Sequence, residues 1–258
     1  MLGAIAGDVI GSVHEWAETK TKDFRLFVPE STFTDDSVLT VAIADWILTG
    51  NDLVEVLHAY FEAYPNRGYG GMFHHWAAER RRTPYNSFGN GAAMRVSPVG
   101  FAFDDPDDVL ACAERSAAVT HNHDEGVRGA QATALAVFLA RKGKKKKELK
   151  RELESRFAYD LSPALDEIRP KYRFDETCQG TVPQAIIAFL ESTSYEDAIR
   201  NAISLGGDAD TLACITGGIA EAYYGGVPQH IAAHTLGVLD AKLVAAVERF
   251  HQQFARRP

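Results

Sequence analysis

Apolar residues recur along most of this chain with the period of an α-helix. Ala130, Ala134, Val137 and Phe138 follow the i, i+4, i+7, i+8 spacing that is typical of a buried helical face. A similar face begins at Val38, directly after an acidic stretch. The same periodicity predicts further helices over residues 52–64, 106–118, 144–158, 181–191, 195–204, 208–223 and 238–255. The pattern therefore predicts a chain that is built almost entirely from helices.

Signals for β-strands are sparse by comparison. Only Phe24–Val28 alternates in the manner of a strand, and Asn90-Gly91 is the one dipeptide typical of a hairpin turn. That dipeptide leads into Ala92 and Ala93, which favour helix. No repeat and no long linker divides the chain. We therefore expect an all-α fold in which about a dozen helices pack around a shared core, as a single domain over residues 1–258.

The composition and charge of the 258 residues exclude several classes of protein. Apolar residues make up 46% and charged residues 24%, which is ordinary for a soluble globular protein. The net charge of −8 disfavours nucleic acid binding, which depends on clustered lysine and arginine. No apolar run reaches the roughly 20 residues that a membrane span requires. We expect neither a nucleic acid nor a membrane as a partner, and we expect a monomer.

The N-terminal segment and the cysteines bear on the cellular compartment. Met1–Ile10 lacks a basic leader and carries Asp8, unlike a secretory signal. Cys112, Cys178 and Cys214 are widely spaced and odd in number. This arrangement fits reduced, buried thiols better than a disulfide framework or a zinc site. We therefore expect a cytoplasmic protein.

Two acidic clusters, far apart in sequence, each stand directly before an apolar helix. Their oxygen-bearing side chains are those of Thr34, Asp35 and Asp36 in the first cluster and of Asp208, Asp210 and Thr211 in the second. Such residues are ordinary helix caps and first-turn residues, which explains either cluster taken alone. Together they offer hard oxygen ligands that suit Mg²⁺, Mn²⁺ or Ca²⁺ and not zinc. A site for two metal ions is predicted if the fold brings the two helix starts together.

The N-terminal segment also carries a stripe of glycines, Gly3, Gly7 and Gly11, at a spacing of four. A stripe without side chains lets another helix approach closely. Glu15 continues the stripe at its end, and Asp8 lies beside it. Glu15 is therefore a further candidate for the site, and a solvated surface carboxylate is the alternative interpretation.

A segment of small residues precedes another predicted helix start. It consists of Ser87, Phe88, Gly89, Asn90 and Gly91. Its backbone N–H groups could face a phosphate and its aromatic ring could stack on a purine, although an ordinary loop has the same composition. Arg67–Gly71 is a similar flexible loop that contains Tyr69. His121 is a candidate ligand contact, whereas His74 and His75 are interpreted as structural or surface residues because no partner stands at zinc-site spacing.

Six motifs in this order resemble the ADP-ribosylglycohydrolase family, which includes dinitrogenase reductase-activating glycohydrolase and the ARH-type ADP-ribosyl-acceptor hydrolases. They are G-D-x-x-G-S-x-x-E at Gly7–Glu15, T-D-D-S at Thr34–Ser37, R-G-Y-G at Arg67–Gly70, G-N-G-A-A-M-R at Gly89–Arg95, T-H at Thr120–His121 and G-G-D-A-D-T at Gly206–Thr211. The resemblance extends from residue 3 to about residue 226, and the two aspartate motifs are its most specific parts.

The resemblance implies a compact orthogonal bundle of helices with a binuclear magnesium centre, for which Mn²⁺ is an alternative ion. The metal-holding residues that it implies are Thr34, Asp35, Asp36, Asp208, Asp210 and Thr211. Glu15 matches a glutamate that approaches the metals and can act in catalysis. Ser87–Gly91 matches the segment that holds the distal ribose and the diphosphate, with Phe88 where a relative has a tyrosine stacked on adenine. His121 and Tyr69 are the further ligand-binding candidates.

The implied activity is hydrolysis of the glycosidic bond at C1″ of ADP-ribose, which releases ADP-ribose from a modified acceptor such as a protein arginine or serine side chain. The transition state is oxocarbenium-like, and either Glu15 or Asp36 would take the proton of the attacking water. The chain lacks the insertions of mammalian members, and residues 121–126 are more polar than the serine-type counterpart, so the acceptor is left open. A hydrolase of a small free ADP-ribose derivative and a non-catalytic ADP-ribose-binding protein are the alternatives.

Overall fold

Helices dominate residues 1–254, the part of the chain that a computed structural model describes. The helices are α1 (Leu2–Gly11), α2 (Asp35–Thr49), α3 (Leu53–Ala63), α4 (Gly71–Ala78), α5 (Gly91–Met94), α6 (Ser97–Ala102), α7 (Pro106–Ala118), α8 (Asp124–Arg141), α9 (Lys146–Phe157), α10 (Leu165–Ile168), α11 (Cys178–Leu190), α12 (Tyr195–Ile203), α13 (Ala209–Tyr224), α14 (Gln229–Val238) and α15 (Ala241–Phe254). This part of the chain contains no strand. Gly89 and Thr177 form an isolated bridge, and Phe24–Val28 is irregular. The expected all-α fold is confirmed.

Most helices lie where the periodicity predicts them, but α14 was not predicted, and the helix predicted over residues 238–255 begins at Ala241. The break falls at Leu239 and Asp240, between α14 and α15. The Asp240 carboxylate accepts a hydrogen bond from the Leu243 N–H group at 2.9 Å, which starts a new helix. Ala255, the last residue of that predicted helix, and the remainder of the predicted domain lie outside the described residues.

The flexible loop predicted at Arg67–Gly71 leads into a helix that was not predicted. α4 begins at Gly71, and its Phe73 and Trp76 side chains are only 6% and 1% exposed. Trp76 also donates its indole N–H group to the Thr83 carbonyl at 3.0 Å. Burial of one face against the core therefore outweighs the low helix propensity of the glycines.

The glycine stripe brings α1 into backbone contact with α13. A β-carbon added at Gly7 would lie 2.0 Å from the Ala213 carbonyl oxygen, and one added at Gly11 would lie 2.5 Å from the Cα atom of Asp210. No larger side chain fits at these two positions, so the predicted close approach of a second helix is confirmed. This contact places the start of α13, with the second acidic cluster, beside the end of α1 and the segment that carries Glu15.

α8 and α13 form the centre of the fold, because most of their residues are buried. Helices that are apolar on all sides lie inside a protein, whereas one-sided helices lie at its surface. Cys112, Cys178 and Cys214 are buried free thiols, as the sequence predicts. Within residues 1–254, none of the helices combines the length and the apolar composition that crossing a membrane requires.

Candidate active site

A cavity of about 430 Å³ opens where the starts of α2 and α13 meet the Ser87–Gly91 loop. One end is lined by the carboxylates of Glu15, Asp35, Asp36, Asp208 and Asp210. The other end is lined by the loop together with Arg95 and His121. Both acidic clusters therefore contribute to one cavity, as a two-metal site requires.

Asp8 holds the start of α2 in place. Its Oδ1 atom accepts a hydrogen bond from the Thr34 hydroxyl at 2.7 Å, and Oδ2 accepts from the Thr34 and Ser37 N–H groups at 3.0 and 3.1 Å. The Ser37 hydroxyl donates to Oδ2 as well. Thr34 is also the N-cap of α2, since its oxygen accepts from the Asp36 N–H group at 3.2 Å. Capping positions Asp35 and Asp36 at the head of the helix, so capping and metal binding are compatible roles for this cluster.

Two side-chain contacts join the start of α13 to the rest of the cavity. The Thr211 hydroxyl donates to Asp36 Oδ2 at 3.2 Å, although the two residues are 175 positions apart. The Asn90 amide donates to Asp208 Oδ2 at 2.6 Å. The two helix starts and the Ser87–Gly91 loop are thereby fixed relative to one another.

The acidic end of the cavity carries more negative charge than the protein neutralises. Burial, reinforced by neighbouring carboxylates, raises the pKa values of Asp35, Asp36 and Asp210 well above their usual range. Burial and the nearby charge of Asp208 raise the pKa of Glu15 to about 7. Among the described residues that line the cavity, the single arginine lies at the other end and there is no lysine.

These carboxylates fit a hard divalent cation. Oxygen atoms of Glu15, Asp208 and Asp210 lie within 4.8 Å of one another, as do those of Asp8, Asp36 and Asp210. The Asp36 Oδ1 atom is buried and has no hydrogen-bond partner in the described part of the chain. A bound cation would satisfy that atom and offset the repulsion between carboxylates. We assign Asp8 to holding α2 instead, because its oxygens already accept four hydrogen bonds.

The Ser87–Gly91 loop is held through its own backbone. The Asn90 N–H group donates to the Glu176 carbonyl at 2.7 Å, and the Gly89 N–H group donates to the Ser87 hydroxyl at 3.0 Å. These N–H groups are therefore used within the protein. Of the successive N–H groups that the composition of the loop could offer to a phosphate, those of Gly89 and Asn90 are not free.

Comparisons with known proteins place the chain among its relatives. A model of the ADP-ribosylglycohydrolase family matches residues 1–258. The chain belongs to this family. ADP-ribosylhydrolase ARH3 of Xenopus tropicalis is 28% identical over 334 residues, which cover 100% of the chain and 95% of the relative. ADP-ribosylhydrolase ARH3 of Homo sapiens is 29% identical and covers 87% of the chain and 84% of the relative.

A solved structure supports the same assignment. A chain described as an ADP-ribosylglycohydrolase-related protein complex is similar with a TM-score of 0.68 and 25% identity, covering 98% of this chain and 96% of that one. The family resemblance inferred from the sequence is therefore confirmed. The enzyme class that it implies, an ADP-ribosyl-acceptor hydrolase, is confirmed with it.

Most of the predicted site residues line the cavity. They are Glu15, Thr34, Asp35, Asp36, Ser87, Phe88, Gly89, Asn90, Gly91, His121, Asp208, Asp210 and Thr211. Tyr69 is not among them, because its buried ring stacks on Phe73 at 5.4 Å between centroids and meets Phe61 edge-on at 5.0 Å. Its neighbours Gly68 and Gly70 line the cavity instead. The structure thus places the Tyr69 ring in the aromatic packing beside the cavity wall, and its contact with a ligand stays a prediction.

Three further features at or beside the cavity were not predicted from the sequence. A lone acid inside an apolar, glycine-striped helix is a signal that could have identified Asp8. Arg95 ends the G-N-G-A-A-M-R motif, and its position there suggests no particular role. Trp16 stacks on Phe174 at the cavity mouth, with 5.0 Å between ring centroids and 14° between planes. No local pattern indicates that contact, because the two residues are far apart in sequence.

Proposed function

We propose that the protein is a metal-dependent hydrolase that cleaves the glycosidic bond at C1″ of ADP-ribose and releases ADP-ribose from a modified acceptor. This proposal is carried by one observation. The two acidic helix starts and Glu15 line the same cavity, which is also lined by an aromatic, glycine-containing loop. Membership of the family and the relatives named ADP-ribosylhydrolase support it. The proposed acceptors are protein arginine or serine side chains.

We assign the cation site to residues from both helix starts and propose two Mg²⁺ ions, with Mn²⁺ as a substitute. The residues are Thr34, Asp35, Asp36, Asp208, Asp210 and Thr211. Carboxylate and hydroxyl oxygens are the protein ligands that these ions prefer. Such cations supply Lewis-acid polarisation and a lowered pKa for nearby water when they are bound. The unpartnered Oδ1 atom of Asp36 and the excess of negative charge support the assignment.

Glu15 is the better placed of the two candidate bases. It is half-buried on the cavity wall, and one of its carboxylate oxygens lies within 4.8 Å of oxygens of Asp208 and Asp210. Asp36 is only 2% exposed, and one of its oxygens accepts the hydrogen bond from Thr211. We therefore propose that Glu15 accepts the proton of the attacking water and that Asp36 belongs to the cation site.

The nucleotide half of the substrate is assigned to the loop end. Phe88 is 44% exposed and lines the cavity, so one face of its ring can stack on a base. The carboxylates at the starts of α2 and α13 repel a diphosphate, which favours its position beside His121. This orientation leaves the ribose that carries the acceptor next to Glu15.

We further propose a single-domain, monomeric, cytoplasmic enzyme whose partner is an ADP-ribosylated protein or small molecule, and neither a nucleic acid nor a membrane. One apolar cluster extends from Met1 to Phe250, which supports a single domain. The large apolar side chains that are exposed in the described part of the chain are Trp16, Met72, Phe88 and Phe174. They gather at the cavity mouth, which leaves no separate apolar patch for a subunit contact among these residues. The buried free thiols fit a reducing compartment.

The proposal is tested by incubating the protein with arginine-, serine- and ester-linked ADP-ribosyl peptides and with a free ADP-ribose derivative. Each reaction is run with magnesium and with a chelator, and the released product is identified. We expect magnesium-dependent release of ADP-ribose from at least one peptide. Release from the free derivative alone would favour the small-molecule hydrolase, and binding of ADP-ribose without any release would favour the binding protein. Neither binding nor release would contradict all three functions.

A further inference from the structure

One lysine ammonium ties together three segments of the chain. The Lys20 Nζ atom donates to the Tyr172 carbonyl at 2.7 Å and also to the Leu205 carbonyl. Lys20 follows Glu15 by five positions, and Leu205 precedes Asp208 by three. Glu15 and Asp208 both line the cavity, whereas Lys20 is not among the described residues that line it. Lys20 therefore connects the segments of these two carboxylates from outside the cavity.

Glu15 lies in the middle of an arch, residues 11–20, that follows α1. At one end of the arch, Gly11 packs so closely on the start of α13 that a β-carbon there would lie 2.5 Å from the Cα atom of Asp210. At the other end, the ammonium of Lys20 holds the chain just before the same helix. Both ends of the arch are therefore anchored to the segment that carries the second acidic cluster.

The arch is closed by hydrogen bonds of its own. The His14 N–H group donates to the Gly11 carbonyl at 2.7 Å, and the Ala17 N–H group donates to the His14 carbonyl at 3.1 Å. The His14 Nδ1 atom lies 2.8 Å from the Thr19 hydroxyl oxygen. Because these contacts extend along the arch, a movement of its far end is passed on to Glu15.

The turn before Asp208 has anchors besides Lys20. The Gly206 N–H group donates to the Ile203 carbonyl at 2.9 Å, and the Asn90 amide donates to the Asp208 carboxylate at 2.6 Å. These two contacts do not involve the arch. Loss of the Lys20 contact should therefore displace the arch and leave the turn in place.

We propose that Lys20 is a positioning residue that ties the arch to the turn before Asp208 and so holds Glu15 in place for the reaction. The inference rests on the proposed function and deepens it, because it adds a residue outside the cavity to the catalytic arrangement. Oxygens of Glu15, Asp208 and Asp210 lie within 4.8 Å of one another. Carboxylates at this separation repel one another, and the Lys20 contact opposes the movement of Glu15 away from the other two.

Lys146 provides a matched control, because it makes the same kind of contact elsewhere in the fold. Its Nζ atom donates to the Phe189 carbonyl at 2.9 Å and also to the Ser192 carbonyl. It further donates to the Tyr224 hydroxyl at 3.0 Å, at the end of α13. α13 has 16 residues, so this end lies roughly 24 Å from the start that lines the cavity. Lys146→Met therefore removes comparable contacts far from Glu15.

The first experiment follows the arch through Trp16, which is next to Glu15 and stacks on Phe174. The three tryptophans are labelled with fluorine, and ¹⁹F resonances are recorded for the full chain without metal or substrate. The Trp16 resonance is identified by its loss in Trp16→Phe. We expect Lys20→Met to shift the Trp16 resonance alone and Lys146→Met to leave it unchanged. An unchanged Trp16 resonance in Lys20→Met would overturn the inference.

The second experiment measures turnover of a substrate that the wild-type protein hydrolyses, and the binding of ADP-ribose by calorimetry. We expect Lys20→Met to lower kcat by about ten- to a hundredfold, as for a displacement approaching 1 Å, and Lys146→Met to leave kcat unchanged. The affinity for ADP-ribose should be unchanged in both variants. In Glu15→Gln, the added Lys20→Met substitution should lower the remaining turnover by less than about threefold, because the group that Lys20 positions is already lost.

The outcomes separate this inference from the proposed function. A loss in the double variant as large as that caused by Lys20→Met alone would overturn the inference, as would equal losses in Lys20→Met and Lys146→Met. Weakened binding of ADP-ribose in Lys20→Met would do the same, since it would show a general disturbance of the cavity.

A wild-type protein that releases ADP-ribose from none of the substrates would overturn the proposed function, and the Trp16 resonance would then still decide whether Lys20 holds the arch. If Lys20→Met does not fold, Lys20→Gln, whose side chain is one atom shorter than lysine, is compared with Lys146→Gln in the same two experiments. The expected and the contradicting results are then the same.

Discussion

The contact between α1 and α13 can be tested by adding one methyl group at Gly11. The β-carbon of Gly11→Ala would lie 2.5 Å from the Cα atom of Asp210, whereas ordinary van der Waals contact begins at 3.4 Å. The start of α13 must therefore retreat by roughly 0.9 Å, the difference between those distances. That movement carries Asp210 away from Glu15 and from the start of α2.

The expected effects follow from the size of this displacement. Overpacking of this kind lowers the free energy of unfolding by about 1–3 kcal/mol, and each kcal/mol lowers the melting temperature by about 2–4 °C for a domain of this size. A misplacement on the order of 1 Å at reacting groups can reduce the rate about 10²-fold. We expect Gly11→Ala to fold, to melt a few degrees lower and to lose about two orders of magnitude in turnover. Thermal unfolding and magnesium-dependent release of ADP-ribose measure the two effects.

Gly3→Ala is the matched control for this prediction. Its β-carbon would also lie 2.5 Å from α13, at the Gly217 carbonyl oxygen, but at the far end of α1 from the site. We expect a similar loss of stability with little loss of turnover. Equal losses of turnover in the two variants would indicate a general loosening of the fold. Full activity in Gly11→Ala would refute the argument that this close packing positions the carboxylates.

Three further predictions concern the carboxylates. Asp210→Asn keeps a cap-forming side chain and removes a charge, so hydrolysis should be abolished while the melting temperature of the metal-free protein changes little. A loss of folding with normal specific activity would favour a capping role alone. Glu15→Gln should lower turnover by about 10²–10⁴-fold with ADP-ribose binding retained, whereas substitution of the exposed Glu18 by Gln should leave turnover unchanged. Full turnover of the Glu15→Gln protein on every linkage would remove Glu15 from the mechanism. The folded pKa of Asp36 is raised above its unfolded value of about 4, so this group costs stability increasingly as the pH rises between the two values. In thermal unfolding of the chelated protein, Asp36→Asn should therefore raise the melting temperature at about pH 8 and leave it nearly unchanged at about pH 4. A pH-independent effect would contradict the raised pKa of Asp36.

The elements and residues that could be predicted are those whose role depends on neighbours within a turn or two of helix. Thr34 caps α2 through the N–H group of Asp36, two positions along the chain, and the glycine stripe is visible as a spacing of four. The same local reasoning missed α14 and placed the start of α15 at residue 238 instead of Ala241, because the apolar periodicity near residue 238 continues across a cap. It cannot place the ring of Tyr69 either, since an aromatic residue in a glycine-containing loop has the same local pattern whether it faces a ligand or the core.

The sequence by itself determined the all-α class, the two acidic helix starts and the family, because periodicity, capping and motif order are all read along the chain. Only the tertiary structure decided which side chains meet. The contacts of Thr211 with Asp36 and of Asn90 with Asp208 join residues 175 and 118 positions apart. Such pairs depend on how the whole core packs, and no local pattern encodes them. The burial of Arg95, which has no counter-ion within residues 1–254, was decided in the same way, because it is a property of the assembled cavity and not of the motif.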